Sequence, residues 1–510
     1  MVFDDLQQFL AFLAKKGELV RVSRLVDPVL EINAILDRLG RSKGPAVMFE
    51  NVKGSSIPVV GNVFGTMKRI SWAFGCEDFE ALVQRKIKGA LEPLRGREEL
   101  LLSMIRNEGV GKKLSGLGKG LLRKRTYSEL QDLLGMVSVF PITAEKPKCR
   151  EVVLRGEEVD LTTLPALKLW PKDGGRFITL PLVMSKDPET GEKNVGIYRM
   201  QILDKRRTCM HWLPRKHGAE HFRKAESRGK PLQIAVAIGC DPSLEVLGCF
   251  PLLPPLDEFM MAGFLRGHSV KVTRSEPGGL HIPAHAEIVL EGIVEPGVRA
   301  TEGPFGEFHG YYAPPKQMPV FEVHTLSMRK HPVWHAATTG RPSTEIHVLA
   351  KAIERFSLPV AQTLMPDIVD INATSESGSL YTMIISLRKT KPYQAQEVMH
   401  FIWSIAPQNT YITNLVVVDE DIDVHNLSSV LWAVSMHFRP ERDLMLTPVG
   451  MADMEKPGAC PRGSGAKMGI DATRKWKEED YSREAPELAV MDPEIEKKVE
   501  RLWAHYGFSH

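Results

Sequence analysis

FITLPLVMSKDPETGEKNVGIYRMQIL, at residues 177–203, is the stretch that decides the fold of the middle of the chain. Its runs of apolar and β-branched residues are typical of short strands, and DPETG at residues 187–191 is a turn between two of them. Similar runs recur outward in both directions, from REVVLRG to VFEVHTLSMR. Many short strands separated by turns predict a β-barrel or β-sandwich from about Val137 to Arg329, interrupted by one helix at 257–267.

Both flanking segments alternate between helical and strand patterns. One face of the first predicted helix is apolar, with Leu6, Phe9, Leu10 and Leu13 at helical spacing. The strand-like runs GELVRV, AVMFENV and IPVVGNV follow it, in a segment that ends near residue 130. After about residue 345, helical segments at 344–356 and 395–405 alternate with the strand-like runs TMIISLRK and LVVV. This alternation predicts an α/β domain on each side of the β region.

Length and composition limit the number of domains and the kinds of molecule that the protein is expected to bind. The 510 residues suffice for two to four domains of ~100–200 residues each. Hydrophobic residues make up 43% and charged residues 25%, as in soluble globular proteins. The net charge of +3 does not favour a nucleic-acid partner, and no run of ~18 apolar residues predicts a membrane span.

Two features predict a cytoplasmic protein. The first residues, MVFDDLQQFLAFLAKKGELV, carry acids where a secretory signal needs positive charge, and no small-residue cleavage site follows. The six cysteines are scattered without a CxxC pair, which favours reduced thiols over a zinc–cysteine site.

The first candidate for chemistry is EGPFGEFHGYY, at residues 302–312. Its carboxylates, Glu302 and Glu307, are separated by glycines and a proline that disfavour a regular helix. A turn can direct both acids into one cavity. Repulsion and burial would then raise the pKa of one acid, and a nearby cation would lower that of the other. A solvated, glycine-rich β-turn is the alternative.

The second candidate is the arginine of NVGIYRMQ, at residues 194–201. Strand alternation places Arg199 on the face that also carries Ile197 and Gln201. An arginine in an apolar barrel strand needs an acidic partner or a ligand, and Glu302 and Glu307 are the candidates. Such a cluster could hold a substrate carboxylate while one acid donates a proton. The alternative is an arginine on the outer surface of the sheet.

The remaining motifs are less specific. His217 and His221 have the spacing of two metal ligands on a helix, but isolated histidines are more often surface or hydrogen-bonded residues. GSGAKMG lacks the spacing of a Walker phosphate loop, and neither GxGxxG after a strand nor GxSxG is present. The basic segment 111–125 and the acidic group at 419–423 are interpreted as solvated loops rather than as phosphate and metal sites.

Several motifs in one order resemble the UbiD family of prenylated-FMN-dependent decarboxylases. They are NVGIYRMQ, EGPFGEFHGYY, TTGRPSTE, VVVDEDIDV, RPERD and SGAKMGIDAT. The resemblance covers essentially the whole chain, and RPERD and KMGIDAT place it nearer to the bacterial branch that acts on 3-polyprenyl-4-hydroxybenzoate. A substrate of that kind would belong to ubiquinone biosynthesis.

The resemblance implies roles for individual residues. It makes Arg199 and Glu302 the pair that positions the substrate carboxylate, and Glu307 the proton donor. It implies a divalent metal bound by Asn194, His217 and Glu258. It implies contacts with the prenylated flavin from Ile197, Tyr198, Arg199, His211, Trp212, Leu213, Lys216 and His217. A lysine that some relatives carry before the VVVDEDID strand is missing from PQNTYITN, so no phosphate contact is expected there.

The resemblance also implies an architecture and partners. The expected fold is multidomain α/β (α+β): an N-terminal α/β domain (1–130), a split β-barrel for flavin and metal (131–329), a C-terminal α/β oligomerisation domain (330–490) and a last helix (491–510). The expected cofactors are prenylated FMN and Mn²⁺ or another divalent cation, with K⁺ as a further candidate. The expected partners are an aromatic carboxylic acid, a flavin prenyltransferase and further copies of the chain, as a dimer or hexamer. A polyprenylated substrate would add peripheral membrane contact.

The predicted function is therefore non-oxidative decarboxylation of an aromatic acid, in either direction. Two alternatives come from other classes. A flavin reductase would need a nicotinamide site, for which the sequence has no fingerprint. A non-catalytic flavin-binding protein would bind flavin without releasing CO2.

Overall fold

The computed structural model describes residues 1–91, 139–214, 216–250, 252, 257–276, 278–379, 381–405, 411–447, 465–479 and 486–508. Three sheets dominate these residues: four strands near the N-terminus, nine in the middle and five toward the C-terminus. Smaller ladders of three and two strands come mainly from the middle segment. The mixed helix-and-sheet, multidomain fold predicted from the sequence is confirmed.

The helices and strands are numbered in chain order along the described residues. The N-terminal part contains α1 (Leu6–Lys15), β1 (Leu19–Val26), α2 (Glu31–Arg41), β2 (Ala46–Val52), β3 (Val59–Gly61), α3 (Met67–Ala73) and α4 (Phe79–Leu91). The middle part contains β4 (Ile142–Thr143), β5 (Val152–Arg155), β6 (Phe177–Ile178), β7 (Leu182–Lys186), β8 (Lys193–Ile197), β9 (Met200–Ile202), β10 (Arg207–Met210), α5 (His217–Glu226), β11 (Leu232–Ile238), α6 (Pro242–Leu247), α7 (Glu258–Arg266), β12 (Lys271–Arg274), β13 (His281–Pro283), β14 (Ile288–Glu302), β15 (Phe305–Gly306), β16 (Tyr312–Ala313), β17 (Lys316–Met328) and β18 (Trp334–His335). The C-terminal part contains α8 (Glu345–Leu364), β19 (Ile368–Ala373), β20 (Thr382–Leu387), α9 (Gln394–Ile405), β21 (Asn414–Asp419), α10 (Leu427–His437), α11 (Pro440–Asp443), β22 (Leu444–Leu446), β23 (Met468–Asp471) and α12 (Pro493–Leu502).

The N-terminal sheet is completed by a strand from far along the chain. Its order is β1-β2-β3-β18, and β18 pairs with β3 in parallel. Asp5 caps the N-terminus of α1, and its side chain accepts a hydrogen bond from the backbone N–H of Gln8 at 2.9 Å. The four apolar residues predicted for one face of this helix are all buried. The N-terminal part therefore packs as a small α/β layer that the chain re-enters after the barrel.

The middle sheet is rolled, and its two ends meet. Its order is β6-β9-β10-β17-β14-β11-β7-β8, with β5 pairing to β17. β8 lies at one end of this order and β9 near the other, yet only Tyr198 and Arg199 separate them in the chain. A connection of two residues can bridge a distance of at most roughly 10 Å between the ends of the two strands. The sheet must therefore curl into a barrel that is split between β8 and β9.

This seam corrects one expectation from the sequence. The prediction of one continuous alternating strand over 194–201 is wrong, because β8 ends at Ile197 and β9 starts at Met200. Residue alternation cannot show such a break, since both halves keep strand-like composition. Arg199 lies at the break itself.

The C-terminal sheet has the order β19-β20-β21-β23-β22. β20, β21 and β23 pair in parallel, while the outer strands β19 and β22 are antiparallel to their neighbours. Its core includes Ile385, Leu387, Val398 and Leu415. Helix α8, which connects this part to the barrel, continues to Leu364 rather than ending near residue 356. No helix in the described ranges has both the length and the apolar character needed to cross a lipid bilayer.

Candidate active site

Glu302 and Glu307 lie at the two ends of a tight connection between β-ladders. Glu302 is the last residue of β14, and Glu307 directly follows β15 in the turn that leads to β16. The Gly306 amide donates to the buried carboxylate of Asp173 at 2.9 Å. The Glu307 amide donates to the Tyr311 carbonyl at 2.9 Å. The connection is therefore an ordered hairpin rather than a helix, as the glycines and the proline predict.

Arg199 joins the two acids. Its Nε donates to Glu302 Oε1 at 2.8 Å and its Nη2 to Glu302 Oε2 at 3.3 Å. Its Nη1 donates to Glu307 Oε1. The side chains of Arg199, Glu302 and Glu307 are 10%, 1% and 15% exposed. The structure thus brings together the three residues that the sequence put forward for chemistry, in an interior where charge pairs interact strongly.

Glu302 is held in its charged form. Burial alone would raise its pKa, but the hydrogen bond from His211 and the Arg199 guanidinium outweigh burial and lower the pKa to about 2. His211 Nδ1 lies 3.2 Å from Glu302 Oε2. At neutral pH, Glu302 is therefore a permanent anion that fixes the arginine, which agrees with the expectation that a cation lowers one of the two pKa values.

An aromatic ring supports the guanidinium from one side. The Cζ atom of Arg199 lies 4.3 Å from the centroid of the Phe305 ring. Phe305 in turn packs on Phe177, with ring centroids 4.6 Å apart. Both rings are buried, so Arg199 is fixed by stacking as well as by its two carboxylates. A guanidinium held in this way presents a defined fork of donors to an anion.

Two of the three residues expected to bind metal lie at one small cavity beside β8. Asn194 and His217 line a small cavity of about 40 Å³, together with His221 and Glu220. Asn194 Nδ2 donates to the Tyr198 hydroxyl at 3.3 Å. A volume of this size has room for an ordered water or a single ion. His221 is bonded to Ser185, Nδ1 to Oγ at 2.9 Å, which gives it a hydrogen-bonding role instead.

Glu258, the third expected ligand, is the first residue of α7 and does not line this cavity. One of its oxygens accepts the Val195 amide at 3.0 Å, so it lies directly behind the strand that carries Asn194. Burial raises the pKa of Glu258 to about 8, because a carboxylate removed from water favours its protonated form. Among the described residues, no group of three His, Cys, Asp or Glu side chains forms a metal site. The amide, imidazole and carboxylate of Asn194, His217 and Glu258 are nevertheless a donor set that suits a divalent cation.

The segment expected to contact flavin runs from the seam to the start of α5. Trp212 is buried, and its indole N–H has no hydrogen-bond acceptor within the described residues. Its ring packs edge-on against Tyr198, with centroids 6.4 Å apart. Ile197, His211 and Leu213 are half-buried, whereas Lys216 is exposed at the N-terminus of α5. A buried donor that lacks an acceptor is what an oxygen-rich cofactor would satisfy.

Other candidates from the sequence have structural roles or lie outside the described residues. In the acidic group, Asp421 pairs with Arg474 at 2.5 Å, and Asp419 accepts the Arg474 amide at 2.8 Å. This supports the interpretation against a metal site there. The basic segment 111–125 and residues 463–464 of GSGAKMG lie outside the described residues.

Three residues that hold the Glu307 turn have no signal in the sequence: Asp173, Thr339 and His347. Thr339 belongs to the TTGRPSTE motif, but neither spacing nor composition connects it with Glu307. Thr339 Oγ1 donates to the Gly306 carbonyl at 2.6 Å, and His347 Nε2 lies 3.0 Å from the Phe308 carbonyl. A contact between distant parts of a chain has no local sequence signal.

Comparison with known proteins decides the family. Three family models match the chain: the N-terminal, Rift-related and C-terminal domains of 3-octaprenyl-4-hydroxybenzoate carboxy-lyase, over residues 10–86, 141–342 and 347–472. An uncharacterized protein of Archaeoglobus fulgidus is 41% identical over 505 residues, which cover 99% of this chain and 98% of that protein. The chain belongs to the UbiD family.

Solved structures of UbiD-class enzymes have the same fold. The vanillic acid decarboxylase of Sedimentibacter hydroxybenzoicus, in its closed form, gives a TM-score of 0.83 at 27% identity over 99% of both chains. HmfF of Pelotomaculum thermopropionicum, in complex with FMN, gives a TM-score of 0.73 at 27% identity over 97% of this chain and 98% of that one. An evolved dimeric form of HmfF in complex with prenylated FMN gives the same values. UbiD-family proteins are decarboxylases that use prenylated FMN, so the predicted enzyme class is confirmed.

Proposed function

We propose that this UbiD-family enzyme removes CO2 from an aromatic acid of the 4-hydroxybenzoate type, with or without a polyprenyl chain, in a non-oxidative and reversible reaction. The observation that carries the proposal is the buried Arg199 held between Glu302 and Glu307. A cation in that position can bind a carboxylate, and two acids with different surroundings can divide anchoring from proton transfer. Likeness to a vanillic acid decarboxylase supports a hydroxylated benzoate.

Arg199 and Glu302 are assigned to the substrate carboxylate. Glu302 occupies two donors of the guanidinium and keeps its plane fixed. The donor that faces Glu307 is the one that a substrate carboxylate can take over. The two-residue seam between β8 and β9 keeps this guanidinium close to the expected metal ligands, so substrate and cofactor would meet there.

Glu307 is assigned as the proton donor. Loss of CO2 leaves an electron pair on the ring carbon, and prenylated FMN, when bound, supplies the electron sink for that pair. The carbon must then receive a proton. Glu302 cannot provide it at neutral pH, because its pKa is about 2. Glu307 shares Arg199 through one contact and is the more exposed acid, so it can release a proton to the ring carbon and regain one from water.

Asn194, His217 and Glu258 are assigned to a divalent metal, with Mn²⁺ as the first candidate and K⁺ as a further ion. The buried carboxylate of Glu258 supports this, because a cation would compensate its charge. Ile197, Tyr198, Arg199, His211, Trp212, Leu213, Lys216 and His217 are assigned to the flavin. The indole N–H of Trp212 has no acceptor among the described residues, which supports an acceptor-rich group beside it.

The partners follow from the same assignment. Prenylated FMN has to be made elsewhere, so a flavin prenyltransferase is a functional partner. We also propose a homo-oligomer, a dimer or hexamer, in the cytoplasm. Helix α12 supports an assembly, because it buries none of its residues within the described chain and exposes Ile495. Peripheral membrane contact follows only for a polyprenylated substrate.

One experiment tests the cofactor class and the reaction together. The chain is co-expressed with a flavin prenyltransferase and supplied with Mn²⁺, and the released small molecule is identified by mass spectrometry. The holoenzyme is then incubated with 4-hydroxybenzoate, vanillate and a prenylated hydroxybenzoate, and CO2 is measured. We expect stoichiometric prenylated FMN and CO2 from at least one acid. Unmodified FMN together with NADH oxidation would instead identify a reductase, and bound flavin without CO2 from any acid a carrier.

A further inference from the structure

The peptide groups around Glu307 are held from outside the hairpin on both sides. On the N-terminal side, the Gly306 carbonyl accepts Thr339 Oγ1 at 2.6 Å. On the C-terminal side, the Phe308 carbonyl accepts His347 Nε2 at 3.0 Å. Thr339 and His347 flank the start of α8. One segment of the chain therefore binds the carbonyl groups of the residues immediately before and after Glu307.

We infer that Thr339 and His347 are positioning residues that set the direction of the Glu307 carboxylate through the backbone of its turn. The inference rests on the proposed role of Glu307 as proton donor. A side chain two bonds from a peptide plane turns with that plane, so fixing both neighbouring carbonyls restricts where the carboxylate can point. Proton transfer depends on such alignment, because misplacement by ~1 Å can lower a rate about a hundredfold.

The hydrogen-bond direction at His347 is determined by its surroundings. The Thr344 amide donates to His347 Nδ1 at 3.0 Å, so the proton of the neutral ring is on Nε2 and faces the Phe308 carbonyl. Burial lowers the pKa of His347 to about 4. The ring therefore stays neutral, and this contact does not change over the pH range in which most enzymes work.

The contacts continue to the indole of Trp170 and to the N-terminal part. Trp170 Nε1 donates to the Thr339 carbonyl at 3.1 Å. The neighbouring Thr338 hydroxyl donates to Asn33 Oδ1 in α2. The backbone around Thr339 is thus held in place by these hydrogen bonds, so Thr339 does not move together with the hairpin that carries Glu307. The arrangement is a fixed support for Glu307 rather than a flexible contact.

The test compares Thr339→Val with Thr339→Ser in the holoenzyme. Valine keeps the shape and loses the hydroxyl, whereas serine keeps the hydroxyl. We expect Thr339→Val to lower kcat by about tenfold to a hundredfold with KM within about twofold, and to raise the solvent deuterium isotope effect on kcat. Thr339→Ser should recover most of the rate. Thr363→Val is the matched control, because it removes a similar hydroxyl-to-carbonyl bond, 2.8 Å to Pro359, inside α8.

His347 offers an independent pair. Glutamine can place an amide N–H near the position of Nε2, whereas asparagine is too short to reach the Phe308 carbonyl. His347→Asn should therefore reproduce the kinetic pattern of Thr339→Val, and His347→Gln should show less of it. Agreement between the two pairs would connect the effect with the Glu307 turn, since they act on opposite sides of it.

Hydrogen exchange provides a further test of the positioning role that does not need the cofactor. Hydrogen exchange of the peptide 303–312 in the full chain reports the Glu307 and Gly310 amides, which bond within the turn. It should be faster in Thr339→Val than in wild type and Thr339→Ser. Unchanged exchange and an unchanged isotope effect in Thr339→Val would overturn the inference. If Glu307→Gln keeps full activity, the proposed proton donor is wrong; if it is inactive while Thr339→Val matches wild type, only the positioning role fails.

Discussion

His211 and Glu302 form a hydrogen-bonded pair inside the site, with Nδ1 and Oε2 3.2 Å apart. The Glu302 side chain is 1% exposed and also holds Arg199 by two further contacts. Burial of a carboxylate normally favours its protonated form, yet these partners reverse that tendency and lower the pKa of Glu302 to about 2. Glu302 is therefore charged at neutral pH and holds the arginine in place.

The first prediction concerns stability and pH. A pKa lowered from the ordinary value of 4.5 to about 2 corresponds to on the order of 3 kcal/mol of stabilisation at neutral pH. This contribution is fully present above the unfolded pKa and is lost as pH falls through the folded pKa. Glu302→Gln should therefore lower the urea midpoint of unfolding at pH 7 and pH 5, and its difference from wild type should shrink between pH 4.5 and about pH 2.

Glu50→Gln is the control for this series. Glu50 pairs with Arg21 at the surface, and both side chains are more than a third exposed, so the loss should be small. A Glu302→Gln difference that stays constant from pH 7 to pH 3 would show that the charge of Glu302 does not stabilise the fold.

The fold could be predicted from local pattern wherever a pattern spans a whole element. The apolar face of α1 and the helix predicted at 257–267, observed as α7, were predicted with nearly correct bounds, because each pattern spans the whole helix. The seam after Ile197 was missed, because the break depends on where β8 and β9 pair, and pairing partners lie far away in the chain. Likewise β18 pairs with β3 across more than 250 residues, which no local run can indicate.

The site was predictable only as far as its charged residues. Arg199, Glu302 and Glu307 stood out because charged groups in an apolar β region need partners. Thr339 did not stand out, because a threonine hydroxyl can donate a hydrogen bond to any nearby carbonyl. Its acceptor, the Gly306 carbonyl, is a backbone group of the kind that every residue carries. The contacts that hold the backbone around Glu307 could therefore be found only from the three-dimensional structure.

The second prediction tests the proton donor. Glu307→Gln can still accept a hydrogen bond from Arg199 but cannot release an acidic proton, so CO2 release should fall by about 10²–10⁴-fold. The flavin content, measured by absorption and mass spectrometry, should match wild type. Glu307→Asp should retain part of the activity, since it keeps an acid in the turn at a shorter reach. Full decarboxylation by Glu307→Gln would remove Glu307 from the mechanism.

The third prediction concerns the metal. Glu258→Gln removes the buried carboxylate. We therefore expect the metal content of the holoenzyme, measured by inductively coupled plasma mass spectrometry, to fall at least tenfold. Without metal, the variant should melt at the same temperature as wild type or higher, because burial disfavours the charged form of Glu258 and a neutral amide is buried without that cost. Added Mn²⁺ and flavin should raise the melting temperature of wild type only.

Glu220→Gln is the matched control for Glu258. Glu220 lines the same small cavity as Asn194 and His217, but its side chain is 37% exposed and pairs with Lys224 at 3.3 Å. Its substitution should leave the metal content near that of wild type. The opposite pattern, with metal lost in Glu220→Gln and kept in Glu258→Gln, would show that the cation binds on the solvent side of the cavity.

The last prediction concerns the closest packing around the Glu307 turn. A Cβ atom added to Gly306 would lie 2.2 Å from Cδ1 of Trp170, so either the indole or β15 must move. The indole cannot move freely, since its Nε1 is bonded to the Thr339 carbonyl at 3.1 Å. Gly306→Ala should therefore shift the turn, and kcat should fall by about tenfold or more while the protein stays folded. Gly89→Ala, in the exposed part of α4 with no atom of the described residues within 4 Å of the new Cβ, should keep wild-type activity and the same or higher melting temperature. Wild-type kcat in Gly306→Ala would mean that the position of β15 does not control proton transfer.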